Sequence, residues 1–152
     1  MPVDAKAGCL YRNNSHSLFE AQSRGFDNAI VCDVLGNVAE LATANIFMTK
    51  DRVVFTPLPN GTFLAGITRP RVIGLLRDSG VTVVKKTLAY QEFEKADEVF
   101  STRNHSKVVP VTRIGDCSLP FGPLYAKARE LYWALAHSSS AGVSSISAAK
   151  AM

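Results

Sequence analysis

The spacing of hydrophobic and polar residues changes several times along the chain, and each change marks a predicted element. Apolar residues two positions apart predict strands, and apolar residues three and four positions apart predict amphipathic helices. Helices are predicted over residues 15–24, 69–79, 90–95 and 123–136. Strands are predicted over residues 28–32, 38–41, 45–49, 53–56, 81–87, 99–102 and 108–114. Many short strands with interspersed helices favour an α+β domain over a regular alternation of strand and helix.

A change of composition near residue 137 sets the expected domain boundary. Residues 1–136 can form one domain, and a hydrophobic content of 47% over the 152 residues is enough for a core. Residues 137–152 are rich in Ser and Ala with few core residues, so we expect a disordered tail there.

Charge and apolar runs narrow the classes of partner. The formal net charge is +4, but Lys and Arg form neither a run nor a basic motif with interleaved aromatic residues. We therefore expect no nucleic-acid partner, and a basic rim around an anionic ligand explains the charge as well. No apolar run approaches the roughly 20 residues of a membrane span, and the first residues lack the apolar stretch of a signal peptide. These features predict a soluble, cytoplasmic protein without a membrane partner.

The cysteines and histidines show no pattern typical of a metal site. The three cysteines are widely spaced and form no CxxC pair, which favours reduced thiols: Cys9, Cys32 and Cys117. The three histidines show no ligand spacing either: His16, His105 and His137. We expect no bound metal.

A glycine turn stands directly before one of the predicted helices. Gly66 and Ile67 precede Thr68 and Arg69, and the apolar helical pattern follows. A tight turn with a hydroxyl N-cap at Thr68 would gather unpaired backbone N–H groups at the positive end of a helix dipole, where phosphate binds well. The block therefore predicts a phosphate site.

Three further groups stand upstream of this turn: the amine of Lys6, the phenol of Tyr11 and the carboxylate of Glu40. Taken alone, Lys6 is typical of a solvated surface amine, Glu40 of a carboxylate at a strand end, and Tyr11 of a core residue. Together with a phosphate cradle they are the groups that hold and tune pyridoxal 5'-phosphate.

Several separated motifs, in their order along the chain, make it resemble the fold-type IV pyridoxal-phosphate enzymes, specifically the branched-chain-amino-acid aminotransferase group. The resemblance runs from Lys6 to about Trp133. The motifs that carry it are Lys6 with Tyr11, Gly25-Phe26-Asp27-Asn28-Ala29, Gly36-Asn37-Val38-Ala39-Glu40, Asn45-Ile46-Phe47, Thr56-Pro57, Leu64-Ala65-Gly66-Ile67-Thr68-Arg69 and Ala96-Asp97-Glu98-Val99-Phe100.

The resemblance implies a role for each matching residue. Lys6 would bond covalently to the cofactor, and its freed amine would move the proton between the substrate Cα and the cofactor C4′. Glu40 would keep the pyridine nitrogen protonated, and Tyr11 would hydrogen-bond the phenolate oxygen of the ring. The remaining expected contacts are Leu64 on the ring face, Gly66, Ile67 and Thr68 at the phosphate, and Asn104 near the phosphate or the substrate carboxylate.

The resemblance also implies the fold and the partners. The fold would be the C-terminal domain of a fold-type IV aminotransferase, with twisted strands in a pseudo-barrel and flanking helices. The expected reaction is transamination of branched-chain amino acids with 2-oxoglutarate, so the partners are amino-acid and 2-oxo-acid substrates. The protein would form a homodimer or a larger homo-oligomer.

The sequence departs from the family at two places. Family members carry an N-terminal domain before the lysine, whereas this chain begins almost at Lys6, so we expect activity to be impaired by truncation. Arg103 stands where the family usually has a glycine. If that position needs a positive φ, arginine is strained there by about 1–2 kcal/mol. We expect strain or displacement in preference to phosphate binding by this guanidinium.

Alternative functions remain within and outside the family. D-amino-acid aminotransferases and aminodeoxychorismate lyases share the cofactor half-site, although residues 36–47 and the glycine turn look more like the branched-chain group. A non-catalytic fragment is the alternative outside enzymes.

Overall fold

The computed structural model describes residues 11–59, 61 and 66–141, and within the helices the side chains of residues 11–13 and 139–141 are outside this description. The helices are α1 (Tyr11–Ser23), α2 (Thr68–Asp78), α3 (Tyr90–Glu94) and α4 (Pro123–Ala141). The strands are β1 (Ile30–Cys32), β2 (Val38–Leu41), β3 (Asn45–Lys50), β4 (Val53–Pro57), β5 (Val83–Lys86), β6 (Glu98–Arg103), β7 (Lys107–Val111), β8 (Arg113–Ile114) and β9 (Cys117–Ser118).

A mixed five-stranded sheet organises the described residues. Its strand order is β5-β4-β3-β6-β7, with antiparallel pairs everywhere except between β4 and β5. The parallel pair needs a crossover, and the chain between β4 and β5 contains α2. The β1–β2 and β8–β9 pairs form two further small sheets.

The two faces of the sheet bury different cores because successive strand residues point to opposite sides. Phe47 of β3 and Phe100 of β6 are register partners whose rings stack at 4.9 Å between centroids. They pack in one core with side chains of α2 and α4. Ile46 and Val99 point the other way into a second core, which also contains Val38 of β2. The sheet therefore has α2 and α4 on one face and the β1–β2 hairpin on the other.

The predicted α+β class is confirmed, and the predicted elements are present with some shifted ends. Helix α1 begins at Tyr11 rather than residue 15, and α4 continues five residues past the predicted end, to Ala141. The Nδ1 of His137 lies 2.8 Å from the carbonyl oxygen of Trp133, and the hydroxyl of Ser138 donates to that of Leu135, which gives polar partners to carbonyls of the last turns. The rest of the predicted tail lies outside the described residues.

The predicted strand over residues 108–114 is divided in the structure. Strand β7 ends at Val111, and β8 pairs separately with β9, which the apolar spacing did not predict. Of the helices described, none has the length and apolar character needed to cross a membrane.

Candidate functional site

One end of the sheet brings together the elements that carry the predicted site. Strand β3 begins there at Asn45, whose register partner is Thr102 near the end of β6. Strand β4 runs antiparallel to β3 and ends at Pro57. The N-terminus of α2 is fixed at the same end by Arg69, whose guanidinium donates to the Thr56 hydroxyl at 3.2 Å and to the Pro57 carbonyl.

The glycine turn before α2 is joined directly to β3. The backbone N–H of Gly66 donates to the side-chain oxygen Oδ1 of Asn45 at 3.1 Å. A Cβ at position 66 would lie 2.9 Å from the same oxygen, closer than real Cβ contacts. A side chain at position 66 would therefore displace the Asn45 amide and break this hydrogen bond.

The start of α2 differs from the prediction. Ile67 occupies the N-cap position with helical angles, φ −58° and ψ −33°, and no side chain caps the helix. Thr68 is the first helical residue and is buried, so its predicted role as the N-cap is wrong. A hydroxyl cap accepts the N–H two or three residues later, and Pro70, two residues after Thr68, has none.

The first turn of α2 is electropositive. It contains no acidic residue, although helices commonly place acids there, and it carries Arg69 and Arg71. Arg69 is only 3% exposed, and burial lowers the pKa of its guanidinium from the ordinary value. Arginine nevertheless remains charged in proteins, so this end of the helix combines a dipole with fixed positive charge.

The predicted carboxylate lies on the hairpin that leads to this sheet end. Glu40 is half-buried in β2 opposite Val31. The chain then turns tightly, with reciprocal backbone hydrogen bonds between Leu41 and Ala44 of 2.8 and 3.3 Å, and enters β3 at Asn45. Glu40 thus stands five positions before Asn45 in the sequence, and the Asn45 side chain is the one that accepts the Gly66 N–H.

The other predicted site residues are described less fully. Lys6 and Leu64 lie outside the described residues. Tyr11 is the first residue of α1, and its side chain is also outside the description. Asn104 is exposed in the turn that joins β6 to β7.

The expected backbone strain at Arg103 is wrong. Among the described non-glycine residues, positive φ occurs at Asp51, Arg52 and Lys107, and Arg103 has an ordinary strand conformation. The turn between β6 and β7 places the left-handed residue at Lys107, the register partner of Arg103. The Arg103 side chain stays within this turn, where its Nε donates to the Ser106 hydroxyl at 3.1 Å.

Some polar residues near the glycine turn before α2 were not assigned a role from the sequence. Thr56 is fully buried and donates to the Ile46 carbonyl at 2.9 Å while it accepts from Arg69. Thr102 is 1% exposed, and its hydroxyl has no hydrogen-bond partner among the described residues. Asn45 and Thr56 each stand in one of the quoted motifs, which was the available signal for them in the sequence.

The structure also has a cleft beside β6 and the β1–β2 hairpin. Its volume is about 810 Å³, and Arg24, Phe26, Ser101, Arg103 and Arg113 are among the residues that line it. None of the predicted site residues that the structure describes lines it. Leu41 and Arg103, the sequence neighbours of Glu40 and Asn104, do line it, so the cleft reaches the elements that carry the candidate site.

Among the described residues, no group of three or more His, Cys, Asp or Glu side chains is arranged to hold a metal ion. Cys32 and Cys117 are free thiols.

Comparisons with known proteins agree with this fold. The family described as amino-transferase class IV matches residues 2–114. A probable branched-chain-amino-acid aminotransferase of Aquifex aeolicus is 36% identical over 137 residues, which cover 88% of this chain and 44% of that protein. The branched-chain-amino-acid aminotransferase of Escherichia coli K12 is 35% identical over 114 residues, 75% of this chain and 37% of that protein. The chain thus spans less than half the length of these curated relatives.

Solved structures show the same similarity. An aminotransferase from Brucella abortus bound to the cofactor PLP superposes with a TM-score of 0.87 at 58% identity, covering 90% of this chain and 49% of that one. A branched-chain aminotransferase from Thermoproteus uzoniensis with norvaline has a TM-score of 0.85 at 35% identity, covering 88% of this chain and 45% of that one. With the family match extending over most of its length, this chain belongs to the class IV aminotransferases.

Proposed function

We propose that this chain binds pyridoxal 5'-phosphate and acts in the transamination of branched-chain amino acids, with 2-oxoglutarate as the amino-group acceptor. The names of the curated relatives support the branched-chain assignment, and the Brucella abortus structure supports the cofactor. This chain spans less than half the length of those relatives, and we propose the same activity for it.

The N-terminus of α2 is the observation that carries the proposal. It has no side-chain cap, no acid in its first turn and a buried arginine, and a glycine held by Asn45 precedes it. Backbone N–H groups at such a terminus bind anions, and the dipole together with Arg69 favours negative charge. A phosphate group meets these requirements.

One feature fits a ligand phosphate better than a purely structural turn. The Thr102 hydroxyl is buried without a partner close to the same sheet end, although buried hydroxyls normally have one. A phosphate oxygen would give such a hydroxyl an acceptor.

Each predicted site residue would then have a specific role toward the cofactor or the substrate. When bound, pyridoxal phosphate supplies an electron-withdrawing ring that stabilises negative charge developing at the substrate Cα. Lys6 would attach the cofactor and afterwards carry the proton removed from Cα. Glu40 would hold a proton on the pyridine nitrogen, and Tyr11 would donate a hydrogen bond to the ring oxygen. Gly66, Ile67 and Thr68 would hold the phosphate, and Leu64 and Asn104 would contact the ring face and the phosphate or substrate carboxylate.

A spectroscopic titration followed by single half-reactions tests this function. The 152-residue chain is titrated with pyridoxal phosphate, and the bound cofactor is then mixed with L-leucine or D-alanine while its absorbance is recorded. We expect L-leucine, and not D-alanine, to convert the bound cofactor, and 2-oxoglutarate to reverse the conversion. Conversion by D-alanine alone would contradict the branched-chain assignment, and the absence of any bound cofactor would contradict the proposal as a whole.

The rate of turnover is a separate part of the proposal. Holding the reacting groups in the correct geometry accounts for several kcal/mol of a barrier, and a misplacement of about 1 Å can cost roughly 100-fold. Because the chain spans less than half of its relatives, we expect these 152 residues by themselves to turn over at least ~100-fold more slowly than a full-length relative. Steady-state transamination of leucine by both proteins, side by side, measures the ratio.

We also propose that the protein forms a homodimer or a larger homo-oligomer. Large apolar side chains are exposed on several elements, among them Phe19 of α1 at 72%, Leu35 of the β1–β2 turn at 82% and Phe121 before α4 at 71%. An interface with a second copy of the chain would bury such side chains. Light scattering during size-exclusion chromatography tests the proposal, and a mass equal to one chain at all concentrations would contradict it.

A further inference from the structure

The hydroxyl of Thr102 is the one buried side-chain polar atom without a hydrogen-bond partner among the described residues. The residue is 1% exposed, so solvent does not supply that partner. Leaving a buried hydroxyl unpaired is unfavourable, and native structures do so rarely. An unpaired buried hydroxyl therefore points to a group that is bound in the working protein.

The position of Thr102 in the sheet places it near the turn before α2. Its register partner across the sheet is Asn45, and cross-strand partners hold their Cβ atoms about 4.5–5.5 Å apart on the same face. The side chain of Asn45 reaches the Gly66 N–H at 3.1 Å. Thr102 thus lies beside the residue that contacts the turn before α2, on the face covered by that helix.

The neighbours of Thr102 along the strand point elsewhere. Successive residues of β6 alternate between faces, so Ser101 and Arg103 lie on the opposite side, where both line the large cleft. Ser101 already donates to the Val109 carbonyl, at 3.4 Å, and Arg103 to Ser106. Thr102 is the residue of this strand end that faces α2 with its donor unused.

We propose that the Thr102 hydroxyl is a further phosphate-binding group, which donates a hydrogen bond to an oxygen of the phosphate bound at the N-terminus of α2. The inference rests on the proposed function, since the ligand is the phosphate of pyridoxal phosphate. The phosphate oxygen is an anionic acceptor, and hydrogen bonds to charged groups are the stronger ones. Binding therefore removes an unfavourable feature of the free protein and adds a favourable contact.

The free protein gives the first arm of the test. Thr102→Val keeps the shape of the side chain and removes the unpaired hydroxyl, so the melting temperature of the cofactor-free protein should stay the same or rise. Thr56→Val is the matched contrast, because Thr56 is equally buried but bonded to Ile46 and Arg69, and its melting temperature should fall. A lower melting temperature for Thr102→Val would show that its hydroxyl has a structural partner, and this would overturn the inference.

Ligand binding gives the second arm. The dissociation constants of pyridoxal phosphate and of pyridoxal, which lacks the phosphate, are measured for the wild type, Thr102→Val and Thr102→Ser. Thr102→Val should weaken pyridoxal phosphate about 10-fold or more and leave pyridoxal unchanged, whereas Thr102→Ser should stay within about threefold of the wild type. Ser101→Ala, on the other face, should alter neither constant.

The outcomes separate this inference from the proposed function. Tight binding of pyridoxal phosphate by the wild type and equally by Thr102→Val would overturn the inference and leave the proposed function standing. Equal weakening of both ligands in Thr102→Val would assign the effect to the fold and would also overturn it. A wild type that binds neither ligand would overturn the proposed function and the inference together.

Discussion

The N-terminus of α4 is held by a buried carboxylate, and this contact gives the most sharply defined stability prediction. Glu98 of β6 is 3% exposed, and its two oxygens accept the N–H groups of Leu124 and Tyr125 at 3.0 and 2.8 Å. Gly122 precedes the helix, and a Cβ on it would lie 2.0 Å from the Glu98 carboxyl carbon. Gly122→Ala must therefore displace the carboxylate.

The magnitude follows from what the displacement removes. Hydrogen bonds to a charged group contribute about 1.5–3 kcal/mol each, and the carboxylate at a helix N-terminus gains up to about 2 kcal/mol from the dipole, in part the same energy. Replacing glycine returns about 0.5–1 kcal/mol through the unfolded chain. We expect Gly122→Ala to destabilise by about 2–4 kcal/mol, which lowers the melting temperature of a chain of this size by roughly 4–16 °C.

The assay is urea unfolding followed by far-ultraviolet circular dichroism, with Gly74→Ala as the control. Gly74 lies inside α2, where a Cβ meets nothing within 4 Å, so alanine there should stabilise by up to about 1 kcal/mol. In a Glu98→Ala background the clash is absent, and Gly122→Ala should then cost almost nothing. Equal costs of Gly122→Ala in the two backgrounds would show that residue 122 does not act through Glu98, because residues in contact must show coupling.

Two further predictions concern the glycine turn and the response to acid. Gly66→Ala should weaken pyridoxal phosphate at least about 10-fold, because the new Cβ displaces the Asn45 side chain that fixes the turn; an unchanged dissociation constant by absorbance titration would contradict this. The hydrogen bond from the Lys50 ammonium, with a second from the Asp51 N–H, holds the pKa of Asp97 below its ordinary value. The associated stability is complete above the ordinary carboxyl pKa of about 4 and is lost as pH falls through the lower folded pKa. Asp97→Asn should therefore make the melting temperature fall less steeply as the pH is lowered through the acid range. A fall parallel to that of the wild type would contradict the contribution of the Lys50–Asp97 contact.

Local patterns predicted most of the elements because their signals are contained in short segments. Gly25 and Gly80, which directly follow the helices predicted over residues 15–24 and 69–79, have φ of 80° and 83°. Those conformations favour glycine and end a helix, so the C-terminal end of each helix could be predicted from one residue and the apolar spacing before it. The same reasoning failed at Thr68, where Pro70 removes one of the two N–H groups that a hydroxyl cap can bind and Ile67 takes the N-cap position.

Contacts between residues that are far apart in the sequence could not be predicted from such local patterns. Asn45 and Gly66 are 21 residues apart, and the hydrogen bond between them depends on how α2 docks on the sheet. The burial of Arg69 against Thr56 and Pro57 likewise follows from tertiary packing. At Arg103 a rule about glycine positions predicted strain, whereas the β6–β7 turn places its positive φ at Lys107.

Covalent attachment to Lys6 is the most decisive test of cofactor binding by this chain. The full chain is incubated with pyridoxal phosphate, reduced with borohydride, digested and analysed by mass spectrometry. We expect the label to be concentrated on Lys6, the only lysine before Glu40 in the sequence. Labelling spread evenly over the lysines, with none favoured, would contradict it.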